Sequence, residues 1–202
     1  LEKLIKKKLL QYNQEKFYAI MLHDISDLKT KYGKKLLHNL KLLKRKKLTS
    51  KIGISIYRPY EIKNIYMDYK PDIIQIPLSP LNQSFIKSKY LNLIKSKKTI
   101  IQVRSIFLQG LILNNKKIKN KNIKIYKMIK KFDTWCKEKK ISKLDACLFF
   151  LRGIKKLKLI TVGFNSNNEL KEIMISFKKK YKKYNFNKFH VNNNKLTDPR
   201  TW

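Results

Sequence analysis

The stretch FYAIMLHD, residues 17–24, is an apolar run of strand length that stops at His23 and an acid. A histidine in that place is either ordinary loop chemistry or a member of a catalytic centre. Four later runs repeat the pattern. KIGISIY carries Ser55, DIIQIPL carries Gln75, TIIQVRSIF carries Arg104 and Ser105, and LKLITVGF leads through Gly163 into Asn165–Asn168. One polar residue at a strand end means little, because strand-to-helix turns need caps anyway. Five in succession predict a lined mouth. Gln75 is the sharpest signal, since it sits between Ile74 and Ile76 in a run that should be buried. A buried glutamine needs partners, and a ligand amide is one candidate. Asn165–Asn168 read equally well as helix caps.

The segments that must position these residues are amphipathic. LEKLIKKKLL places Leu1, Leu4, Ile5 and Leu9 on one helical face, and GKKLLHNLKLL does the same with Leu36, Leu40 and Leu43. EIKNIYMDY predicts a short helix. SFIKSKYLNLIKS predicts one with Ile86, Tyr90, Leu93 and Ile94 together. A long helical region is predicted from about Ile123 to Arg152, with Ile125, Ile129, Phe132 and Cys136 in register. NELKEIMISFKKKY closes the series, with Leu170, Ile173, Met174, Phe177 and Tyr181 spaced as a buried stripe. The polar KNKNIK within Asn114–Lys124 reads as an enlarged loop. The order is one helix and then five βα units, in a single domain over 1–202 with a polar tail at 185–202. Near-continuous apolar strands indicate parallel pairing with both faces covered. Regular βα alternation means a doubly wound sheet or a barrel. No G-x-G-x-x-G follows any strand, which disfavours the dinucleotide-binding doubly wound option.

Lys and Arg number 49 against 13 Asp and Glu, for a net charge of +36 and a pI near 10.2. Such a balance raises nucleic acid as a partner. The excess is almost all lysine, spread over nearly every segment and accompanied by isoleucine and asparagine. A dedicated nucleic-acid surface interleaves arginine, glycine and exposed aromatics. Solvated helix faces are the better reading, and nucleic acid is not the expected partner. Cys136 and Cys147 show neither metal spacing nor a disulfide framework, so no metal is expected and a reducing, cytoplasmic setting fits. No run approaches membrane-spanning length, and no signal peptide opens the chain. The sequence begins at Leu1 inside a periodic pattern, which suggests a fragment.

Together these segments resemble the aldo-keto reductase family, in order and in spacing, over nearly the whole chain. IMLHD resembles the family's strand ending in a histidine, and KIGISIY its G-x-S segment. DIIQIPLSPLNQ resembles the glutamine strand, RSIFLQGLI the seventh-strand segment, and VGFNSNNELKE the eighth-strand cofactor segment. The resemblance implies a partial (β/α)8 TIM barrel, parallel strands 4–8 with their helices. It implies an NADP- or NAD-dependent reductase acting on a small-molecule carbonyl, an aldehyde or ketone. In that family His23 would orient the substrate carbonyl, and Ser55 and Gln75 would hold the nicotinamide carboxamide. Arg104 falls where many members stack an aromatic ring on the nicotinamide. Ser105, Phe107 and Gln109 match the segment near the pyrophosphate. Gly163, Asn165 and Glu169 match the segment around the adenosine phosphate.

Four departures stand beside the match. Asn165 and Ser166 replace the cations of many NADP-dependent members. Ile56 and Ile173 stand where asparagines are common. The family's proton-donating tyrosine, with its lysine and aspartate, has no counterpart here. General acid catalysis needs such a group within reach of the carbonyl oxygen, so the isolated chain is expected to be inactive. The competing readings are a degraded, non-catalytic relative and a basic nucleic-acid-binding protein. The last requires the lysines to cluster on one face.

Overall fold

Runs rich in β-branched or aromatic residues give the strands β1 (Phe17–Leu22), β2 (Thr49–Ser55), β3 (Ile73–Pro77), β4 (Ile100–Arg104) and β5 (Leu159–Ile160). The computed structural model describes residues 1–114, 123–155 and 157–198. All five strands lie in one sheet in chain order, β1-β2-β3-β4-β5, and every pair is parallel. Each connection therefore crosses over through helical structure. The helices are α1 (Glu2–Gln11), α2 (Gly33–Arg45), α3 (Glu61–Asp68), α4 (Ser84–Lys87), α5 (Tyr90–Ser96), α6 (Ile123–Glu138), α7 (Lys143–Arg152) and α8 (Asn167–Lys178).

Register separates the two faces of the sheet. Leu22, Ile54, Ile74 and Ile101 share one face and are buried. The opposite face carries Met21, Lys51, Gln75, Ile100 and Gln102, all half-buried, beside the buried Ser55 and Ile73. A doubly wound sheet would bury both faces under helices. Sequential parallel order with one buried and one half-open face is instead part of a barrel wall. Each isoleucine on the covered face is worth about 1.5–3 kcal/mol of burial. Two glycines make the wall possible. A Cβ on Gly33 would collide with the Leu28 carbonyl where α2 starts, and Gly53 leaves room for the Met21 side chain above it.

Several expectations need correction. The long helix over 123–152 is two helices. Lys140 adopts φ 52°, Ile141 N–H donates back to Cys136 O, and Ser142 Oγ caps α7 by accepting from Asp145 N–H. The segment SFIKSKYLNLIKS is likewise two helices, with Ser88 extended between them. On α1 only Leu9 is buried, while Leu1 and Leu4 are exposed. On α8 Met174 and Phe177 are exposed, and Tyr181 lies beyond the helix end and is exposed too. That helix is held by Ile173 and by polar contacts to α7. Asp145 accepts from Ser176 Oγ and from Lys179 Nζ at 2.7 Å, and Arg152 Nη1 donates to Phe177 O and Lys179 O. The fifth strand is only two residues long. The enlarged loop falls on 115–122, outside the described residues, as do 199–202.

The segment from 185 is polar in composition but not in placement. Phe186, Phe189 and Val191 are buried. Trp135 of α6 meets the rings of Phe186 and Phe189 at 5.3 and 5.2 Å, and Phe132 meets Phe189 at 5.1 Å. Gln83 Nε2 donates to Phe186 O and to Pro80 O, and Gln83 N–H donates to His190 Nδ1. The chain end thereby fixes the loop that follows β3.

Candidate active site

Parallel strands place their C-terminal ends together, so residues that follow β1 to β5 gather at one mouth. Ser55 and Gln75 are register partners, and Gln75 in turn pairs with Gln102. Ser55 Oγ donates to Gln75 Oε1 at 3.0 Å. Arg104 reaches across from β4. Its Nε donates to Ser55 Oγ at 3.2 Å, its Nη2 to Ile56 O at 3.3 Å, and its Nη1 to Ser105 Oγ at 3.0 Å. The guanidinium carbon lies 4.1 Å from the Tyr57 ring centroid, close enough for a strong cation–π stack. Three strands thus share one hydrogen-bonded cluster with a flat cation against its side. His23 lies one residue beyond Leu22, whose register partner is Ile54, so it stands at the level of Ser55 on the same end. Its side chain is exposed.

The remaining candidates separate. Ser105 opens a tightly coiled segment with positive φ at Ser105, Leu108, Gln109 and Gly110. For Leu108 that geometry costs on the order of 1 kcal/mol, and such strain concentrates at functional sites. Gln109 is exposed there, whereas Phe107 is buried in the core and offers a ligand only its backbone. Gly163 and Asn165 lie in the exposed segment before α8. Asn165 N–H donates to Glu169 Oε2, and Glu169 N–H donates to Ser166 Oγ, the N-cap of α8. The capping interpretation therefore accounts for Asn165, Ser166 and Glu169 as they stand.

Sequence reasoning missed three neighbours of this cluster. Tyr57 provides the ring under Arg104. Gln102 Nε2 donates to Thr161 Oγ1, while Gln102 Oε1 is buried and accepts no hydrogen bond among the described residues. The signal for Gln102 was present, since β3 and β4 both read Ile-Ile-Gln. Tyr57 and Thr161 needed the register. No group of His, Cys, Asp and Glu able to hold a metal occurs among the described residues, and no described helix is long and apolar enough to cross a membrane. Burial pushes the Cys136 thiol up to about 12, with Asp133 adding to it, and burial also raises the Cys147 thiol well above its ordinary value. Neither thiol is a nucleophile.

With the geometry in place, comparison with known proteins identifies its kind. Residues 3–191 match the model of the aldo/keto reductase family. The chain superposes on an aldo-keto reductase from Bacillus halodurans in its apo form with a TM-score of 0.70 at 16% identity. The match covers 93% of this chain and 65% of that one. The holo form gives 0.69 at 17% identity, covering 90% and 62%. At these identities the likeness carries the fold, and the chain spans less than two thirds of the length of either structure. No curated protein matches the sequence.

Proposed function

The chain belongs to the aldo/keto reductase family, and on that premise we propose that it forms the cofactor-binding and substrate-orienting side of an NAD(P)H-dependent carbonyl reductase. In this reading β1 to β5 are strands four to eight of the family's barrel. The observation that carries it is the Ser55–Gln75–Arg104 cluster, built from three strands at the mouth where family members bind nicotinamide. The residues fit a carboxamide. Gln102 Oε1 is a buried acceptor without a donor beside Gln75, and a ligand N–H would relieve its desolvation cost.

When bound, the nicotinamide supplies the reducing electron pair as a hydride. Ser55 and Gln75 hold its carboxamide and so fix the ring plane, with Gln102 as a further acceptor. Arg104, already flattened against Tyr57, presents a second plane to the ring. The coil from Ser105 through Gln109, and the segment Gly163 to Asn165 ahead of α8, line the path of the phosphates. Asn165 and Ser166 offer no cation to a 2′-phosphate, so NAD and NADP are both accommodated. His23 donates a hydrogen bond to the oxygen of a small aldehyde or ketone. A donor aimed at charge developing on that oxygen is worth a few kcal/mol in a dry site. The acid that protonates the oxygen does not come from residues 1–202, so this chain alone binds without turnover. A reducing, cytoplasmic setting suits two free cysteines and completes this reading.

The test is calorimetric titration of the 202-residue chain and two variants with NADPH. Gln75→Ala removes a carboxamide partner worth about 1–2 kcal/mol and should weaken binding five- to thirtyfold. His23→Ala should leave affinity within twofold, because its partner is substrate oxygen. Equal weakening by both would reject the division of roles.

A further inference from the structure

A cavity of about 540 Å³ lies away from the mouth, where α4 and the C-terminal end of α7 meet the segment 181–187. It shares no lining residue with the Ser55–Gln75–Arg104 cluster. Phe149, Tyr181, Tyr184 and Phe186 supply an aromatic wall. Phe149 and Tyr184 set their rings within 23° of parallel, with centroids 6.2 Å apart, which gives that wall a flat side. Gly153 also lines the cavity, at φ −72°, a conformation open to any residue. A Cβ there would stand 2.9 Å from Tyr181 Oη, so what the glycine provides is room. Gln83 is the polar anchor and is only 2% exposed. Its N–H donates to His190 Nδ1 at 3.1 Å, and its carbonyl accepts from Lys87 N–H at 3.0 Å. Its Nε2 donates to Pro80 O and to Phe186 O, both at 2.7 Å. Two carbonyls on Nε2 fix which end of the amide is which. Oε1 is the atom left over. It accepts no hydrogen bond among the described residues, and it is not walled in as Gln102 Oε1 is, so it opens onto the cavity that Gln83 lines. A fixed acceptor beside aromatic walls calls for a ligand donor.

We propose that this cavity binds a planar heteroaromatic acid. The ring N–H donates to Gln83 Oε1, the ring lies against the wall of Phe149 and Tyr184, and the anionic group faces Lys183. Each feature excludes an alternative. Lys183 is the one charged residue lining the cavity, and no acid lines it among the described residues. Arg152 already covers the rings of Phe149 and Tyr181, its guanidinium carbon 6.0 and 5.6 Å from their centroids, so an organic cation would meet like charge from both Arg152 and Lys183. An aliphatic acid would leave Oε1 unpaired and make poor use of a flat aromatic wall. The volume lies within the range of small-molecule sites, about 300–1,000 Å³, and apolar walls with a few placed polar groups are what such sites present. Holding the chain end does not require the space. Phe189 packs on Phe132 and Trp135, and none of the three lines the cavity. The site stands independently of the nicotinamide reading, because the two share no residue.

The experiment is a nuclear magnetic resonance titration of the labelled chain with indole-3-carboxylate. Three comparison ligands go with it: benzofuran-3-carboxylate, with oxygen in place of the ring N–H; indole, without the acid; and tryptamine, a cation. Saturable shifts are expected at the Gln83 side-chain amide and at Gly153 and Asn185, with a Kd below about 1 mM. The side-chain amides of Gln75 and Gln102 should stay in place. The benzofuran acid should bind at least about fivefold more weakly, because it covers Oε1 without pairing it. Tryptamine should bind at least about tenfold more weakly. Lys183→Met, at an exposed residue, should bring indole-3-carboxylate down to the affinity of indole. Gly153→Leu fills the cavity and should abolish the shifts, with far-ultraviolet circular dichroism confirming that it folds; if it does not fold, Lys183→Met and the ligand series decide. The proposal is overturned by the absence of saturable shifts at Gln83, by benzofuran acid or tryptamine binding as tightly as the indole acid, or by unchanged affinity in Lys183→Met or in folded Gly153→Leu.

Discussion

Replacing Arg104 by methionine keeps the aliphatic stem and deletes the guanidinium that ties β2 to β4. Three hydrogen bonds vanish, to Ser55 Oγ, Ile56 O and Ser105 Oγ, at 3.2, 3.3 and 3.0 Å. Bonds from a charged donor contribute about 1.5–3 kcal/mol each when well buried. Arg104 is only half-buried and two of its bonds are long, so the three together are worth nearer 1.5 kcal/mol. The stack on Tyr57 at 4.1 Å adds about 0.5–1 kcal/mol. The variant should thus lose about 2 kcal/mol in urea denaturation, a large share of the stability of a single domain. Arg104→Lys should recover less than half, since an ammonium reaches one acceptor and stacks poorly. A loss below about 0.5 kcal/mol for Arg104→Met, or full rescue by lysine, would refute the view that the guanidinium holds the cluster together.

Other outcomes follow from the same structure. Phe189→Ala should cost about 3–5 kcal/mol in denaturation, because the ring is fully buried between Phe132 and Trp135. Cys136 and Cys147 should resist a thiol reagent at pH 8 in the folded chain and react at once in denaturant, since burial holds both thiols protonated. Burial would raise the Asp145 carboxyl, but hydrogen bonds from Lys179, Ser176 and Ser142 outweigh it and leave it below its usual value of 3.8. A depressed carboxylate stabilises above its unfolded value and loses that contribution as pH falls through its folded one. Asp145→Asn should therefore be less stable than the parent at pH 7, with the gap closing below pH 3.8. The chain mixed with NADPH and an aldehyde should show no absorbance loss at 340 nm beyond the uncatalysed rate.

Much of this architecture is written in local pattern. Runs such as Ile73–Pro77 and Ile100–Arg104 can be placed because β-branched residues fill them and turn signals bound them. Strand-end position then puts Ser55 and Arg104 at one mouth, whereas Gln75 lies in the middle of β3 and joins them through its register with Ser55. Periodicity states which face of a helix is apolar, but not whether anything lies over it. That is why Leu9 is buried on α1 while Leu4 is not, and why Met174 and Phe177 remain open on α8. The division of 123–152 was legible in Ser142 and Asp145, a cap signal hidden among helix formers. Phe186 and Phe189 escaped because lysine and asparagine surround them, although their spacing of three puts both rings on one side of a turn. Tyr57 and Thr161 could not be assigned from sequence, since their roles depend on lateral register between strands that lie far apart in the chain.

The central claim is that Ser55, Gln75 and Gln102 form a carboxamide site at the mouth. Nuclear magnetic resonance titration of the labelled chain tests it directly, using NADP⁺ and, separately, 2′-phospho-ADP-ribose, which lacks the nicotinamide. The account predicts that the backbone signal of Ser55 and the side-chain amide signals of Gln75 and Gln102 shift with NADP⁺ and stay in place with the truncated nucleotide. Identical shifts with the two ligands, or shifts confined to residues away from the mouth, would contradict it.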